Sequence, residues 1–404
     1  MPIRLARRRL LAGCGVAATA GLSACSHTPP MSKDRGYIRG SGGRAVDELV
    51  DSVVPDGASL TVAAVKDGKL VYRKGFGYSD RARKTPATGD TVYDVCSMTK
   101  QFTATAVLKL ALAEKLGVHD RLSRYFDAFG GDKRDITLHQ LLTHTAGFVD
   151  ALGGDYEKLT RDGMVRAAAA STLKSRPGGT YRYSNVGYSL LAAIVERVSG
   201  ATYETYLAEH LFAPAGLIHT GYTRLQWNTD DIAIEYDGRG KPHGRPDQHP
   251  WADDGPYWNL KGNGGLLSTA TDMAKWHLAL EGDAILPSAA KRRLYHPYVL
   301  EDNGETHYGY GWVVSTVDGD HIAEHNGGND FTFGEIRRDL DAGAMAFWIT
   351  NAVRKGDAFD LEDLDLAAQI VDVLRQLSDG GVTRSFSLRS VLVSGSSERL
   401  NSSR

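Results

Sequence analysis

Strand-like patterning in this chain gathers at two places far apart in sequence, with a long helical block between them. Ser59 to Val65 and Lys69 to Gly75 alternate around Lys66-Asp67-Gly68, the pattern of a hairpin. Near the other end, Tyr308 to Val317, His321 to His325, Phe331 to Arg338 and Ala344 to Thr350 read as four further strands, and Asp360 to Leu377 as a closing amphipathic helix. From Ser97 to about Leu286 the chain is mostly helical runs broken by Gly and Pro: Met164 to Lys174, Val186 to Val198, Tyr203 to Phe212 and Thr271 to Leu280. The two ends are therefore expected to share one antiparallel sheet, with the helical block (about 97–286) inserted between them. That is an α+β fold of three layers, α/β/α.

The first residues set a compartment. Arg7-Arg8-Arg9-Leu10-Leu11 is a basic leader with a twin-arginine look, and the uncharged run 10–24 is too short to span a membrane. It ends in Leu22-Ser23-Ala24-Cys25, which resembles a bacterial lipoprotein cleavage box. The expectation is a signal peptide over 1–24, a lipidated Cys25, a flexible tether over 25–43 and one folded domain over 44–378. A tail over 379–404, Ser-rich with little core potential, is expected to be disordered. The protein would then be exported and lipid-anchored in the bacterial cell envelope, facing the periplasm. The signals for general and twin-arginine export overlap here, and oligomeric state is open.

Charge and cysteine content narrow the classes. Without the leader's four arginines the chain carries 43 basic side chains against 49 acidic, a net of −6, and no basic patch suggests nucleic acid. Losing Cys14 with the leader and lipidating Cys25 leaves Cys96 alone, so neither a disulfide framework nor a zinc-type cysteine pair is possible. Cys96 reads as a small packing residue, and His243 and His249, in a polar loop, as solvated. No metal and no cofactor is expected.

Chemistry enters at Ser97-Met98-Thr99-Lys100. Residues i and i+3 share one face of a helix, so Lys100 can reach the Ser97 hydroxyl. A serine hydroxyl needs an adjacent base to become a nucleophile, and a partly desolvated lysine can serve. The spacing recurs at Ser171/Lys174 and Ser288/Lys291, and context separates the three. Ser171 lies close before Pro177, and Ser288 opens a polar helix start. Ser97 follows the strand-like Thr91 to Val95 and precedes Gln101 to Lys115, whose Phe102, Ala106, Val107, Leu110 and Ala111 keep helical spacing.

Two more elements complete the constellation. In Tyr183-Ser184-Asn185, residues i and i+2 of an extended turn point the same way, so a phenol and an amide can face one pocket. Tyr183 can take the Ser97 proton or return one to a leaving group, given a pKa lowered by a lysine cation. Asn185 can hold Lys100 and a substrate carbonyl. A rival, Tyr257-Trp258-Asn259, has no apolar helix after it. His325-Asn326-Gly327-Gly328 closes one strand and opens the next, letting substrate lie along a strand edge. There the N–H of Gly328 can form an oxyanion hole with that of Ser97. His219 and His144 read as structural.

These elements, in this order, resemble the class C β-lactamase-like serine hydrolases, a group of β-lactamases, penicillin-binding proteins, D-alanyl-D-alanine carboxypeptidases, D-aminopeptidases and esterases. Leu141-Leu142-Thr143-His144-Thr145-Ala146-Gly147, Gly264-Gly265-Leu266-Leu267-Ser268-Thr269 and Tyr308-Gly309-Tyr310-Gly311-Trp312 extend the resemblance from Val46 to Leu377. It implies acylation of Ser97 with Lys100 as base partner and Tyr183 as general base and acid, substrate contacts at Asn185, His325 and Gly327, and hydrolysis of the acyl-enzyme by water. The departure is His325-Asn326-Gly327 where typical class C enzymes carry Lys-Thr-Gly. A histidine is mostly neutral near pH 7, so a fixed cation for a substrate carboxylate is lost. The expected substrate is a small ester, a peptide or a cell-wall-derived amide, cleaved by an esterase or D-Ala-type peptidase with at most weak β-lactamase activity. The intact Ser97, Lys100, Tyr183 and Asn185 weigh against the alternative, a silent envelope protein binding peptidoglycan peptides or a partner through the same cleft.

Overall fold

A computed structural model describes residues 38–39, 43–356, 359–362 and 364–376. The expected signal peptide, Cys25 and the tail 379–404 lie outside the described residues. One antiparallel sheet holds β1 (Ile38–Arg39), β2 (Leu60–Lys66), β3 (Lys69–Phe76), β4 (Val299–Leu300), β5 (His307–Tyr308), β6 (Val313–Val317), β7 (Asp320–Gly328), β8 (Phe333–Asp339) and β9 (Ala344–Thr350). Their order is β1-β3-β2-β9-β8-β7-β6-β5-β4. The two ends of the chain join at β2 and β9, in register from Leu60 opposite Thr350 to Lys66 opposite Ala344. The split sheet expected from sequence is the sheet observed.

Alternation along these two strands builds the layers, because successive side chains leave opposite faces. Ala63, Val65, Met345, Phe347 and Ile349 pack into the helical block. Leu60, Val62, Ala64, Ala344, Ala346 and Trp348 pack under α1 (Gly43–Val53) and the closing helix Leu366–Gln376. Inside the block, α2 (Thr99–Leu112) is buried nearly all round, so it runs through the core as its axis rather than lying on its surface. Its Phe102 ring packs 4.6 Å from Trp276 on α4 (Ala270–Glu281) and 5.6 Å, edge-on, from Phe212. The helix α3 (Asn185–Ser199) packs along α2, and α5 (Ser288–Leu294) follows α4. The closing helix is α6.

Three expectations are corrected. The tether does not run to residue 43, since Ile38–Arg39 pairs with Tyr72–Arg73 of β3 and α1 opens at Gly43. The acidic run does not start the closing helix: Asp360 and Glu362 bond to Arg354 at 2.6 and 2.7 Å, and α6 begins only at Leu366. Nor is 308–317 one strand. The Gly309 N–H donates to the Trp312 carbonyl at 2.8 Å, and that turn brings Gly311, at φ +75°, against the backbone of Lys100. A Cβ on Gly311 would sit 2.7 Å from the Lys100 carbonyl oxygen, so the break is where the sheet meets α2. No helix among the described residues is long and apolar enough to cross a membrane.

Candidate active site

Ser97 stands in a single 3-10 turn, Cys96–Met98, that joins the short strand Tyr93–Asp94 to α2. The turn is held by main-chain bonds from Val95 N–H to Leu266 O (2.9 Å) and Met98 N–H to Val95 O (3.1 Å), and by Cys96 N–H to Asp94 Oδ1 (2.7 Å). Cys96 adopts φ +46°, a left-handed conformation that a non-glycine residue holds at a cost of about 1 kcal/mol or more. That backbone conformation sets the direction in which Ser97 leaves the turn. Burial and the nearby carboxylate of Asp94 push the Cys96 thiol well up, so it stays protonated and packs, as expected.

Lys100 is fully buried one turn along α2. Its Nζ lies 3.0 Å from Ser97 Oγ, 2.8 Å from Asn185 Oδ1 and 2.8 Å from the main-chain oxygen of Asn263. Desolvation pushes its pKa down from 10.5 to about 7, against weaker opposition from Asp150. A neutral amine has two hydrogens and one lone pair. The two oxygens of Asn185 and Asn263 take the hydrogens, which leaves the lone pair aimed at the serine hydroxyl. The geometry therefore places the neutral form in the orientation a base needs.

Tyr183 and Asn185 reach the site through the start of α3. The Ser184 side chain caps the helix, accepting from Gly187 N–H at 3.2 Å and donating to Val149 O at 2.7 Å. Tyr183 is thus held just before the cap and Asn185 in the first turn, where Asp150 Oδ1 accepts from its Nδ2 at 3.1 Å. The expected lowering of the Tyr183 pKa is overturned. Burial raises it, outweighing a hydrogen bond with Ser97, so the group is a neutral phenol able to donate a proton. The group beside Ser97 whose pKa is lowered is Lys100 instead.

Strand β7 brings the third element. Gly327 abuts the nucleophile turn so closely that a Cβ would fall 2.6 Å from Val95 O and 2.8 Å from Ser97 N. Gly328 follows, opposite Phe333 of β8. Alternation turns His325 to the same side as Gly327, while the exposed Asn326 faces the other way, opposite Glu335. His325 is buried and both ring nitrogens are engaged: Nε2 with Tyr308 Oη at 2.9 Å, Nδ1 with its neighbour's carbonyl, Asn326 O, at 2.6 Å. Desolvation, with repulsion from Lys100, lowers its pKa to about 4. The strand therefore presents an uncharged imidazole beside the cleft.

A family model described as Beta-lactamase matches residues 44–369. The chain belongs to the beta-lactamase family. Penicillin-binding protein 4* of Bacillus subtilis (strain 168) is 29% identical over 284 residues, covering 66% of this chain and 62% of that protein. The chain spans under two thirds of the length of such curated relatives. Among solved structures, EstCE1, a hydrolase with promiscuous acyltransferase activity, superposes with TM-score 0.69 at 22% identity, covering 83% of this chain and 98% of that one. The D-amino acid amidase of Ochrobactrum anthropi SV3 complexed with D-phenylalanine gives 0.68 at 22%, covering 84% and 99%. These two likenesses establish the fold, a beta-lactamase/transpeptidase-like sheet flanked by helices.

Within this beta-lactamase fold the decoys fall away. Ser171 caps the end of a surface helix, its hydroxyl donating to Ala168 O at 2.8 Å. Lys291 pairs with Asp283 at 3.3 Å. Asn259 braces a loop through Gly154 O at 3.0 Å. The His219 main chain bonds to Asp272 at 2.7 Å. His243 is exposed, as expected, and bonds to Asp237 at 3.0 Å beside Phe331, whereas His249 is half-buried, held by Glu235 at 2.7 Å and stacked on Tyr156. Sequence reasoning missed Asp150, and it missed Asn263, whose contribution is a main-chain oxygen. The one signal was the glycine-flanked run Gly262-Asn263-Gly264-Gly265. His144 is structural, as expected: at φ +57° it accepts from Ser184 N–H at 3.1 Å and packs its ring 4.4 Å from that of Tyr183.

Proposed function

We propose that this protein is a serine hydrolase that cleaves an ester or amide through an acyl-Ser97 intermediate, with an acyl donor that carries no carboxylate. The observation that carries the reading is the 3.0 Å approach of a lysine with pKa about 7 to the serine hydroxyl, with its other hydrogens already committed. Lys100 takes the Ser97 proton as Oγ bonds to the substrate carbonyl carbon. The resulting oxyanion sits at the N–H groups of Ser97 and Gly328. Tyr183, a neutral phenol, donates its proton to the departing oxygen or nitrogen and is reprotonated from Lys100. Water, deprotonated by the same groups, then opens the acyl-enzyme and frees Ser97.

The charge of the cleft argues for the restriction on substrate. His325 supplies no cation. A cavity of about 390 Å³ borders Tyr183 and His325 at the end of β7, but Ser97 does not line it, and its Glu324 and Glu335 share the face of Asn326, turned away from Gly327. Burial raises the pKa of Glu324 and Glu335, against opposition from Arg337 at the first and a hydrogen bond from Trp348 at the second. A substrate carboxylate therefore finds no fixed cation on β7, whereas a neutral acyl donor needs none. Esterase or D-amino-acid amidase chemistry therefore fits better than efficient β-lactam hydrolysis. Attachment to the envelope through Cys25 remains part of the proposal.

The test compares p-nitrophenyl acetate and butyrate, D-phenylalanine amide, nitrocefin and a D-Ala-D-Ala peptide, for the protein and for Ser97→Ala. Ester or amide turnover lost in Ser97→Ala is expected, with nitrocefin and the carboxylate-ended peptide slower by about 100-fold or more. No Ser97-dependent turnover, and no labelling of Ser97 by a fluorophosphonate, would favour the silent binding role instead. The pH profile is a second check. The base is the unprotonated lysine, so kcat/KM should rise with pH along a limb of apparent pKa about 7. A flat profile from pH 5.5 to 8.5 would remove Lys100 as the base.

A further inference from the structure

We infer that a second cavity, bounded by α4, α5 and the strands β6, β7 and β8, binds an organic anion with an apolar body. The cavity has a volume of about 1000 Å³ and shares no residue with the cleft around Ser97. Leu280, Tyr295, Val314, Ile322 and Leu340 give it apolar walls. Arg338 also lines it, only 2% exposed.

Arg338 is a buried cation held by neutral partners. Its Nε donates to His277 Nδ1 at 2.8 Å, and Nη1 donates to Tyr295 Oη. Desolvation holds His277 down to about 4, so that ring is uncharged. The rings of Tyr295 and Trp312 flank the guanidinium at 5.3 and 5.6 Å. The nearby carboxylates are directed to other bases: Glu281 lies 3.2 Å from His277 Nε2, Asp339 pairs with Arg375 at 3.1 Å, and Asp341 pairs with His321 at 2.9 Å. Among the described residues no carboxylate forms an ion pair with Arg338. On α5, Lys291 is taken by Asp283, but exposed Arg292 has no partner among the described residues, which sets two cations against exposed Glu305. A guanidinium buried with no carboxylate at ion-pair distance, its nearest counter-charge Glu281 lying beyond the neutral His277, bears a desolvation cost that an incoming anion relieves, and its planar fork suits a carboxylate or phosphate. The apolar walls would cover the remainder of such a ligand. The inference is independent of the reaction at Ser97.

The experiment is calorimetric titration of the full-length protein with decanoate, decyl phosphate and, as the uncharged control, decan-1-ol, all below micellar concentrations. Variants Arg338→Met, Arg292→Glu and Thr316→Trp are titrated beside it. Thr316 is exposed on β6 and shares the face of Val314, so tryptophan there narrows the cavity without touching the core. One equivalent of decanoate or decyl phosphate is expected to bind, about tenfold or more weaker in each variant, while decan-1-ol shows no saturable binding. The tighter of the two anions names the head group. No saturable binding of either anion, equal binding of decan-1-ol, or affinity untouched by Arg338→Met overturns the inference. Should Arg338→Met fail to fold, the two surface variants decide, and unchanged affinity in both overturns it.

Discussion

Lys100→Met is expected to lower kcat/KM for a p-nitrophenyl ester by about 100- to 10,000-fold while leaving the protein as stable as before, or more so, at pH 7. The loss in rate is the usual worth of a positioned base. The stability expectation follows from burial. The native Lys100 has a pKa near 7 against 10.5 for the free side chain. Between those values an unfolded chain binds a proton that the native chain refuses. Stability from this group is therefore full above pH 10.5 and is lost as pH falls toward 7, by roughly 5 kcal/mol for a shift of this size. Methionine has similar length and no charge to bury. It leaves Asn185 Oδ1 and the Asn263 oxygen without a donor, at about 1–3 kcal/mol each, so the two effects offset one another near neutrality.

Thermal melts at pH 7 and pH 10 separate these contributions. The melting temperature of Lys100→Met relative to the parent should be highest at pH 7 and should fall at pH 10, where the parent no longer bears the penalty. A variant equally destabilised at both pH values would show that Lys100 is an ordinary buried hydrogen-bond donor, and the catalytic argument built on its depressed pKa would fail with it.

What the sequence made legible was pattern, and what it hid was environment. The period-2 segments at both ends predicted a shared sheet because alternation is a property of a strand itself, and β2 meets β9 as expected. Ser97 stood out from Ser171 and Ser288 because an apolar helical run follows it. Tyr183 and Asn185 stood out for the same reason, since a long helix can only carry them together. The error over the Tyr183 pKa has a different source. A neighbouring lysine lowers a phenol's pKa only if the lysine is charged, burial of the phenol works the other way, and neither burial can be read from a tripeptide. Asn263 escaped because it acts through its main chain, for which any residue type would serve. The late start of α6 was hidden because acidic residues suit both a helix N-terminus and an ion-paired loop. Here Arg354, distant in pattern but close in space, decides for the loop.

Gly327→Ala is expected to reduce kcat by about 100- to 1,000-fold, on the scale of a lost oxyanion donor, and to lower stability by about 1–3 kcal/mol through overpacking. The new methyl carbon would fall 2.6 Å from Val95 O, 2.8 Å from Ser97 N and 3.0 Å from Cys96 Cβ. None of these is the far end of a flexible side chain. The turn carrying Val95 is tied to Leu266 and Asp94, and Gly327 is paired with Gly334 of β8, whose register with β7 runs on to Gly328. One of the two must yield, and either movement shifts the Ser97 N–H relative to the end of β7. Gly328→Ala is the control. Its nearest contact is the Phe333 ring at 3.0 Å, with main chain no closer than 3.4 Å, so a side-chain rotation can absorb the methyl and the loss should stay below about tenfold. Steady-state kinetics of the two variants on one ester give the comparison. If alanine at 327 were tolerated as well as alanine at 328, the strand edge would not set the geometry of the nucleophile, and the oxyanion would have to be held elsewhere in the cleft.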